Sequence, residues 1–72
     1  MNYVIMNGYE HLGIVDDLTE VYKIISDDAA KKEKAYGMTL ELKTVLSGAI
    51  YDAYIYEYPT LYKEVYVVEI KR

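Results

Sequence analysis

The side chains that could carry out chemistry in this chain are one histidine, two pairs of consecutive aspartates and two serines. His11 is the only imidazole, and Glu10 beside it points to the opposite face of an extended strand. General acid–base catalysis would instead place a carboxylate next to the imidazole in a cleft. Ser26 and Ser47 lack the surroundings of an activated nucleophile. We therefore expect no catalytic residue and predict that the chain is not an enzyme.

The two aspartate pairs raise the question of a metal site, which their spacing does not favour. Asp16-Asp17 and Asp27-Asp28 lack the alternating oxygen ligands around a glycine that a calcium loop needs. The chain has no cysteine, so it has neither a disulfide nor a thiolate zinc site. Its glycines form neither a GxGxxG pattern nor a phosphate loop. We expect no metal and no cofactor, and helix capping explains the aspartates better.

The composition favours a protein partner over nucleic acid. The chain has 12 acidic and 8 basic residues, a net charge of −4, and Arg72 as its only arginine. Nucleic-acid binding depends on clustered Lys and Arg, so we expect no direct binding of nucleic acid. Ten tyrosines occur without any Phe or Trp, and binding surfaces use tyrosine for its large rigid ring and its hydroxyl. The acidic balance predicts a basic partner.

The first elements that would position these side chains follow from turn and periodicity signals. Asn7-Gly8 predicts a β-hairpin over residues 1–15, with Met6 opposite Tyr9. Glycine at position 13 weakens the second strand and is typical of a bulge.

A single helix is predicted next, from about Leu18 to Ala35, with Gly37 as its terminator. A second short helix capped by Ser26 is the alternative. The apolar stripe at helical spacing predicts which residues pack on the sheet: Leu18, Val21, Tyr22, Ile25 and Ala29.

Residues 38–46 fit a helix or a strand. A helix over this segment would have Thr39 as its N-cap and would end at Gly48. In a strand, Met38, Leu40 and Leu42 would alternate with polar residues. We favour the strand, paired with residues 49–58 around a Ser47-Gly48 turn, because it sets Lys43 opposite Asp52.

The last third of the chain predicts a second hairpin, rich in Tyr, Val and Ile. If Pro59-Thr60 is a two-residue turn, Tyr58 pairs with Leu61. Both sides of this hairpin are then largely apolar, so we expect the outer side to contact another element, a second copy of the chain or a partner. The predicted outer face carries three tyrosines in alternation, which makes it a candidate binding surface: Tyr54, Tyr56 and Tyr58.

These elements predict an α+β fold for a single domain over residues 1–72, in the order ββαβββ, with one helix on a mostly antiparallel sheet. No segment is long and apolar enough to span a membrane, and the first residues do not resemble a signal peptide. We expect a cytoplasmic protein without a membrane partner.

The expected function is non-enzymatic protein binding. In size, charge and tyrosine content the chain is similar in kind to small acidic phage-encoded inhibitors of host nucleases and defence systems, whose carboxylates stand in for phosphates. This likeness predicts an inhibitor that docks on a basic host protein. The alternative is a homodimeric structural or regulatory protein whose tyrosine face is the dimer interface. The acidic candidates for partner contact are Asp16, Asp17, Glu20, Asp27 and Asp28.

Overall fold

One helix lies across one face of a five-stranded sheet. The computed structural model describes residues 1–72. All neighbouring strands are antiparallel, and their order in the sheet is β2-β1-β5-β4-β3, so the first and last strands of the chain pair near its centre. The predicted ββαβββ order and α+β class are confirmed. The bounds are β1 Asn2–Asn7, β2 Glu10–Val15, α1 Leu18–Tyr36, β3 Glu41–Ser47, β4 Tyr51–Glu57 and β5 Lys63–Lys71.

The helix begins and ends at the residues whose chemistry favours those positions. The Asp17 carboxylate accepts the Thr19 N–H at 2.8 Å, which satisfies one of the unpaired donors of the first turn. Gly37 ends α1 in the left-handed conformation, with φ 65°, and its N–H donates to the Glu33 carbonyl at 2.9 Å. One continuous helix is therefore confirmed. Of the predicted stripe, Val21, Ile25 and Ala29 are buried.

Two members of the predicted stripe lie outside the core. Leu18 and Tyr22 are 41% and 49% exposed, and both line an open groove between α1 and β3. The prediction that Leu18 is buried is wrong.

Replacing Gly37 by alanine should lower the free energy of unfolding by about 1 kcal/mol, because a Cβ is disfavoured at positive φ. Space is not the cause, since no atom lies within 4 Å of an added Cβ. Gly37→Asn is the matched control, since asparagine tolerates this conformation better. Urea unfolding of both variants measures the difference; equal losses would contradict a conformational cause.

The turn of the N-terminal hairpin lies one residue later than predicted, so Met6 pairs with His11 and not with Tyr9. Asn7 pairs with Glu10, which leaves Gly8 and Tyr9 in the turn. Gly8 alone has positive φ, as a type II′ turn requires, whereas the predicted Asn7-Gly8 pair would have needed two such residues. Leu12 of β2 has no partner in β1, because Gly13 pairs with Ile5 and His11 pairs with Met6. The bulge predicted near Gly13 is therefore present.

The C-terminal hairpin has a longer loop than predicted, and this reverses the two faces of β4. Glu57 pairs with Lys63, and the Tyr58 N–H donates to the Tyr62 carbonyl at 3.2 Å. The loop between Tyr58 and Tyr62 therefore has three residues, 59–61, whereas a loop of two residues was predicted. Because side chains alternate along a strand, a one-residue slip in pairing moves each side chain to the opposite face.

Strand β3 is present but shorter and differently paired than predicted. Residues 38–40 lie outside it, Ser47 faces Asp52, and a bulge falls at Lys43. The predicted pair of Lys43 with Asp52 is wrong, since Lys43 contacts Glu41 at 3.0 Å instead. The bulge places Leu42 and then Val45 on the helix side of the sheet, while all of β3 remains exposed at the sheet edge.

The core lies between α1 and the central strands. Tyr66 of β5 is fully buried, and its neighbours in the main cluster are Ile5, Val21, Ile25, Tyr54 and Val68. A second, smaller cluster joins the end of α1 to the loops through Ala29, Leu40 and Tyr58.

Candidate functional site

The three tyrosines predicted to form an exposed outer face lie under the helix instead. Tyr54 is 9% exposed and Tyr58 is 7% exposed, and the Tyr56 ring packs edge-on against Tyr66 at 5.5 Å between centroids. Their predicted placement is wrong because the loop after β4 is one residue longer than assumed. In this structure most of their surface is occupied by core contacts, so they are not a free tyrosine surface.

The predicted acidic candidates have different roles in the structure. Asp16 and Glu20 are exposed at the start of α1. Asp17 is also exposed, but its carboxylate caps the helix. Asp27 lies 3.7 Å from Lys23 on the helix surface, a contact between exposed groups that contributes little to stability. The structure therefore leaves Asp16 and Glu20 as the acidic side chains without an internal contact.

Asp28 belongs to the structural core of the helix–sheet contact. Its Oδ2 accepts hydrogen bonds from Lys32 Nζ and, at 2.7 Å, from the Tyr66 hydroxyl. Burial raises the pKa of Asp28, but the hydrogen bonds from Lys32 and Tyr66 and the lysine charges lower it more, so the pKa lies below its usual value. One carboxylate oxygen of Asp28 is therefore already paired inside the protein, and contact of Asp28 with a partner stays a prediction.

The buried tyrosine hydroxyls should make the domain unfold at high pH. Burial, with smaller effects of Tyr22 and Asp52, raises the pKa of Tyr54 to about 12. Burial and acceptor carboxylates raise the pKa of Tyr58 and Tyr66 as well. The unfolded chain loses these protons near pH 10, so stability is full below about pH 10 and falls as the pH rises toward the folded values.

We expect urea unfolding between about pH 8 and 11 to show this decrease, with tyrosinate absorbance recorded alongside. Tyr66→Phe removes one of the groups and should reduce the slope. A free energy of unfolding that stays level up to about pH 11 would contradict burial of these hydroxyls.

The sheet face opposite α1 is uncovered and aliphatic. A row of paired residues crosses all five strands on this side, from Leu46 through Ala53, Val67 and Met6 to His11. Two of the flanking side chains, Val65 and Ile14, are 40% and 60% exposed. We call this surface the open sheet face, and its apolar and aromatic members are Val4, Met6, Ile14, Leu46, Tyr51, Ala53, Ile55, Val65 and Val67.

Charged residues lie toward both ends of the β4–β5 pair, and Glu69 lies on the open sheet face itself, between Tyr51 and Val4. Lys63 faces Glu57 at one end of the β4–β5 pair, with 3.9 Å between their charged atoms, and Lys71 lies 3.5 Å from Glu69 toward the other end. An apolar centre with a charged rim is the typical arrangement of a protein–protein interface. A sheet face exposed to water would instead carry mostly polar side chains.

A second concave surface lies between α1 and the edge strand β3. This groove has a volume of about 460 Å³, and seven of its ten lining residues are apolar or aromatic. The Tyr22 ring packs edge-on against Tyr54 at its wall, with 6.0 Å between the centroids. Leu42 and Val45 form the β3 side and are about half exposed. We call this surface the α1/β3 groove, and Asp52 is its only charged residue.

Neither surface carries a metal-ligand cluster. No group of three or more His, Cys, Asp or Glu side chains is placed to hold a metal ion. No side-chain polar atom is buried without a hydrogen-bond partner. The open sheet face therefore offers mainly apolar side chains, and the groove offers apolar and aromatic side chains beside one carboxylate.

Comparisons with protein-family models, with curated proteins and with solved structures give no match to this chain. The one helix does not combine the length and apolarity needed to cross a membrane. The fold and the two surfaces are therefore the basis of the functional argument.

The sequence carried a signal for the open sheet face, although the residues assigned to it were only partly correct. Apolar residues on both sides of the last hairpin predicted a second contacting face, and Val65 and Val67 were placed on it correctly. Tyr54 and Tyr56 were predicted on this face, but Ala53 and Ile55 lie there instead. No comparable signal existed for the α1/β3 groove, which depends on the bulge at Lys43 and on how far α1 extends over the sheet.

Proposed function

We propose that this chain is a non-enzymatic protein-binding module that forms a homodimer through its open sheet face. The observation that carries the proposal is the continuous apolar row across four neighbouring strands, from Leu46 of β3 to Met6 of β1. Two sheets pack face to face at about 10 Å when both inner faces are apolar. A second copy supplies such a face, and two-fold symmetry makes the surface complementary to itself.

The dimensions of the sheet are sufficient for a small stable interface. Five strands about 4.8 Å apart, with about six residues each at 3.3 Å, give a footprint of roughly 500 Å² per copy. The total of roughly 1,000 Å² reaches the lower bound for a specific interface. The two copies would therefore bury enough surface to associate if most of the aliphatic side chains take part.

The small core gives a physical reason for a second copy. Only nine of the 72 residues are buried, and no disulfide reinforces them. Domains of this size bury a low fraction of their surface and gain stability from cross-links, metals or oligomerisation. Covering the open sheet face would add a second apolar layer to the sheet.

Thermal unfolding at several protein concentrations tests this proposal. Because association is linked to folding, the Tm of a dimer rises with concentration, whereas the Tm of a monomer does not change. We expect an upward shift over a hundredfold concentration range. A constant Tm, together with the mass of a monomer throughout, would contradict the homodimer.

The second candidate function is an inhibitor that docks on a basic protein, with carboxylates in place of phosphates. The specific observation in its favour is the pair of exposed acids, Asp16 and Glu20, at the start of α1. Exposed charges at the rim of an interface increase the association rate more than the affinity.

For this candidate, Asp16→Asn and Glu20→Gln together should slow association severalfold and weaken its dependence on salt. The matched control is Glu10→Gln, which removes an exposed acid from β2 instead of from α1. Binding kinetics on the isolated target at two salt concentrations give the comparison. Equal effects of the two changes would contradict a docking role for the start of α1.

A further inference from the structure

The α1/β3 groove is aromatic and apolar, and its single charge is negative. Tyr22, Tyr54 and Tyr56 line it together with Leu42 and Val45, and no Lys, Arg or His is among the lining residues. Tyrosine faces attract cations through their ring quadrupoles. An apolar floor suits the alkyl stem of a long basic side chain. The composition of the groove therefore favours a cation with an aliphatic stem over an anion or a neutral polar ligand.

Asp52 has no cationic partner in the protein. Its Oδ1 accepts the Gly48 N–H at 3.2 Å, and no lysine, arginine or histidine nitrogen lies within 4.0 Å of the carboxylate. The side chain is half-buried at the end of the groove. A half-buried carboxylate forms stronger ion pairs than an exposed one, because water screens it less.

One lysine of the chain itself already lies between a tyrosine ring and a carboxylate. Lys32 Nζ lies 5.6 Å from the centroid of the Tyr66 ring and pairs with the Asp28 carboxylate. Tyrosine, carboxylate and ammonium thus form one internal cluster beside the core. The α1/β3 groove offers the exposed ring of Tyr22 and the carboxylate of Asp52 but no ammonium.

We propose that the α1/β3 groove binds a lysine or arginine side chain of a basic protein partner. The alkyl stem packs on Leu42 and Val45, and the charged head contacts Asp52 and the exposed ring of Tyr22. This inference deepens the second candidate function and rests on it. The homodimer does not depend on it, because the groove and the open sheet face lie on opposite sides of the sheet.

The probe is an acetylated, amidated pentapeptide of four alanines around a central lysine, with an arginine version and a norleucine version. Norleucine keeps the aliphatic stem and lacks the charge. Backbone and methyl chemical shifts of the folded protein report binding. We expect saturable shifts at Leu42, Val45 and Tyr22 with the two cationic peptides, and at least tenfold weaker binding of the norleucine peptide.

Asp52→Asn is the main variant, because asparagine retains an acceptor for the Gly48 N–H. It should weaken binding of the lysine peptide about tenfold, whereas Glu10→Gln, which removes an exposed acid from β2, should leave it unchanged. Tyr22→Leu keeps the apolar bulk and should weaken the lysine peptide while sparing the norleucine peptide.

Three outcomes would overturn the proposal: equal affinity of Asp52→Asn and the natural chain, equal affinity of the norleucine and lysine peptides, or tighter binding of free spermidine than of any lysine peptide. The last outcome would make a small polyamine the occupant. The mass of the protein, measured in the same samples, tests the homodimer separately, so failure of one proposal is not failure of the other.

Discussion

Replacing Ile25 by alanine should lower the free energy of unfolding by about 2–5 kcal/mol, the usual cost of truncating a buried aliphatic side chain. Ile25 is 2% exposed and packs in the main cluster between α1 and the sheet. The loss has two parts, the apolar contacts of the deleted carbons and the cavity that remains. In a domain with so few buried residues, a loss of this size is a large fraction of the total stability.

A milder change at the same site keeps the prediction measurable. Ile25→Val removes one methylene and should cost about 0.5–1.5 kcal/mol. Leu61→Ala is the control, since Leu61 is 98% exposed and its truncation should change stability by less than about 0.5 kcal/mol. Urea unfolding followed by circular dichroism gives all three values. A loss below about 1 kcal/mol for Ile25→Ala would mean that α1 presents a different side to the sheet.

Introducing a lysine at Val67 should weaken the homodimer at least about 30-fold, which corresponds to about 2 kcal/mol at a central interface position. Val67 lies in the middle of the aliphatic row, between Ala53 of β4 and Met6 of β1. An ammonium there would be buried against an apolar surface without a partner. Because a two-fold interface contains each residue twice, the dimer would bury two such ammonium groups, so the 30-fold weakening is a lower bound.

The monomer should tolerate the same change. Val67 points away from α1, so the core around Tyr66 remains intact. Ala30→Lys, which adds the same charge at an exposed position of the helix, is the matched control and should leave the dimer unchanged. Sedimentation of both variants over a concentration series measures the dissociation constants. Equal dissociation constants for Val67→Lys and the natural chain would exclude the open sheet face as the interface.

The parts of the fold that were predictable are those with local signals. The Asp17 cap and the Gly37 terminator act within one turn of the helix, so residue type alone locates both ends to within a residue. Alternating apolar residues predicted the strands of the last hairpin. The ββαβββ order follows from these elements without any knowledge of how the strands pair.

The faces of the strands were harder to predict, because they depend on loop lengths counted to the residue. One additional loop residue after Tyr58 placed Tyr54 and Tyr56 under the helix and brought Ala53 to the open side. Neither Pro59 nor Thr60 distinguishes a two-residue from a three-residue loop, since both are compatible with several turn types. A binding surface inferred from alternation is therefore only as reliable as the turn that sets the register.

The most direct test of the homodimer is a nuclear Overhauser experiment on a mixture of isotope-labelled and unlabelled copies of the natural chain. Filtering for contacts between the two kinds of copy reports only atoms that lie close together across an interface. We predict contacts among the methyl groups of Val65, Val67 and Ile55, in a species of twice the 8.4 kDa mass of the chain. Contacts that arise instead from Leu42 and Val45, or none at all in a monomeric species, would contradict the open sheet face as the site of association.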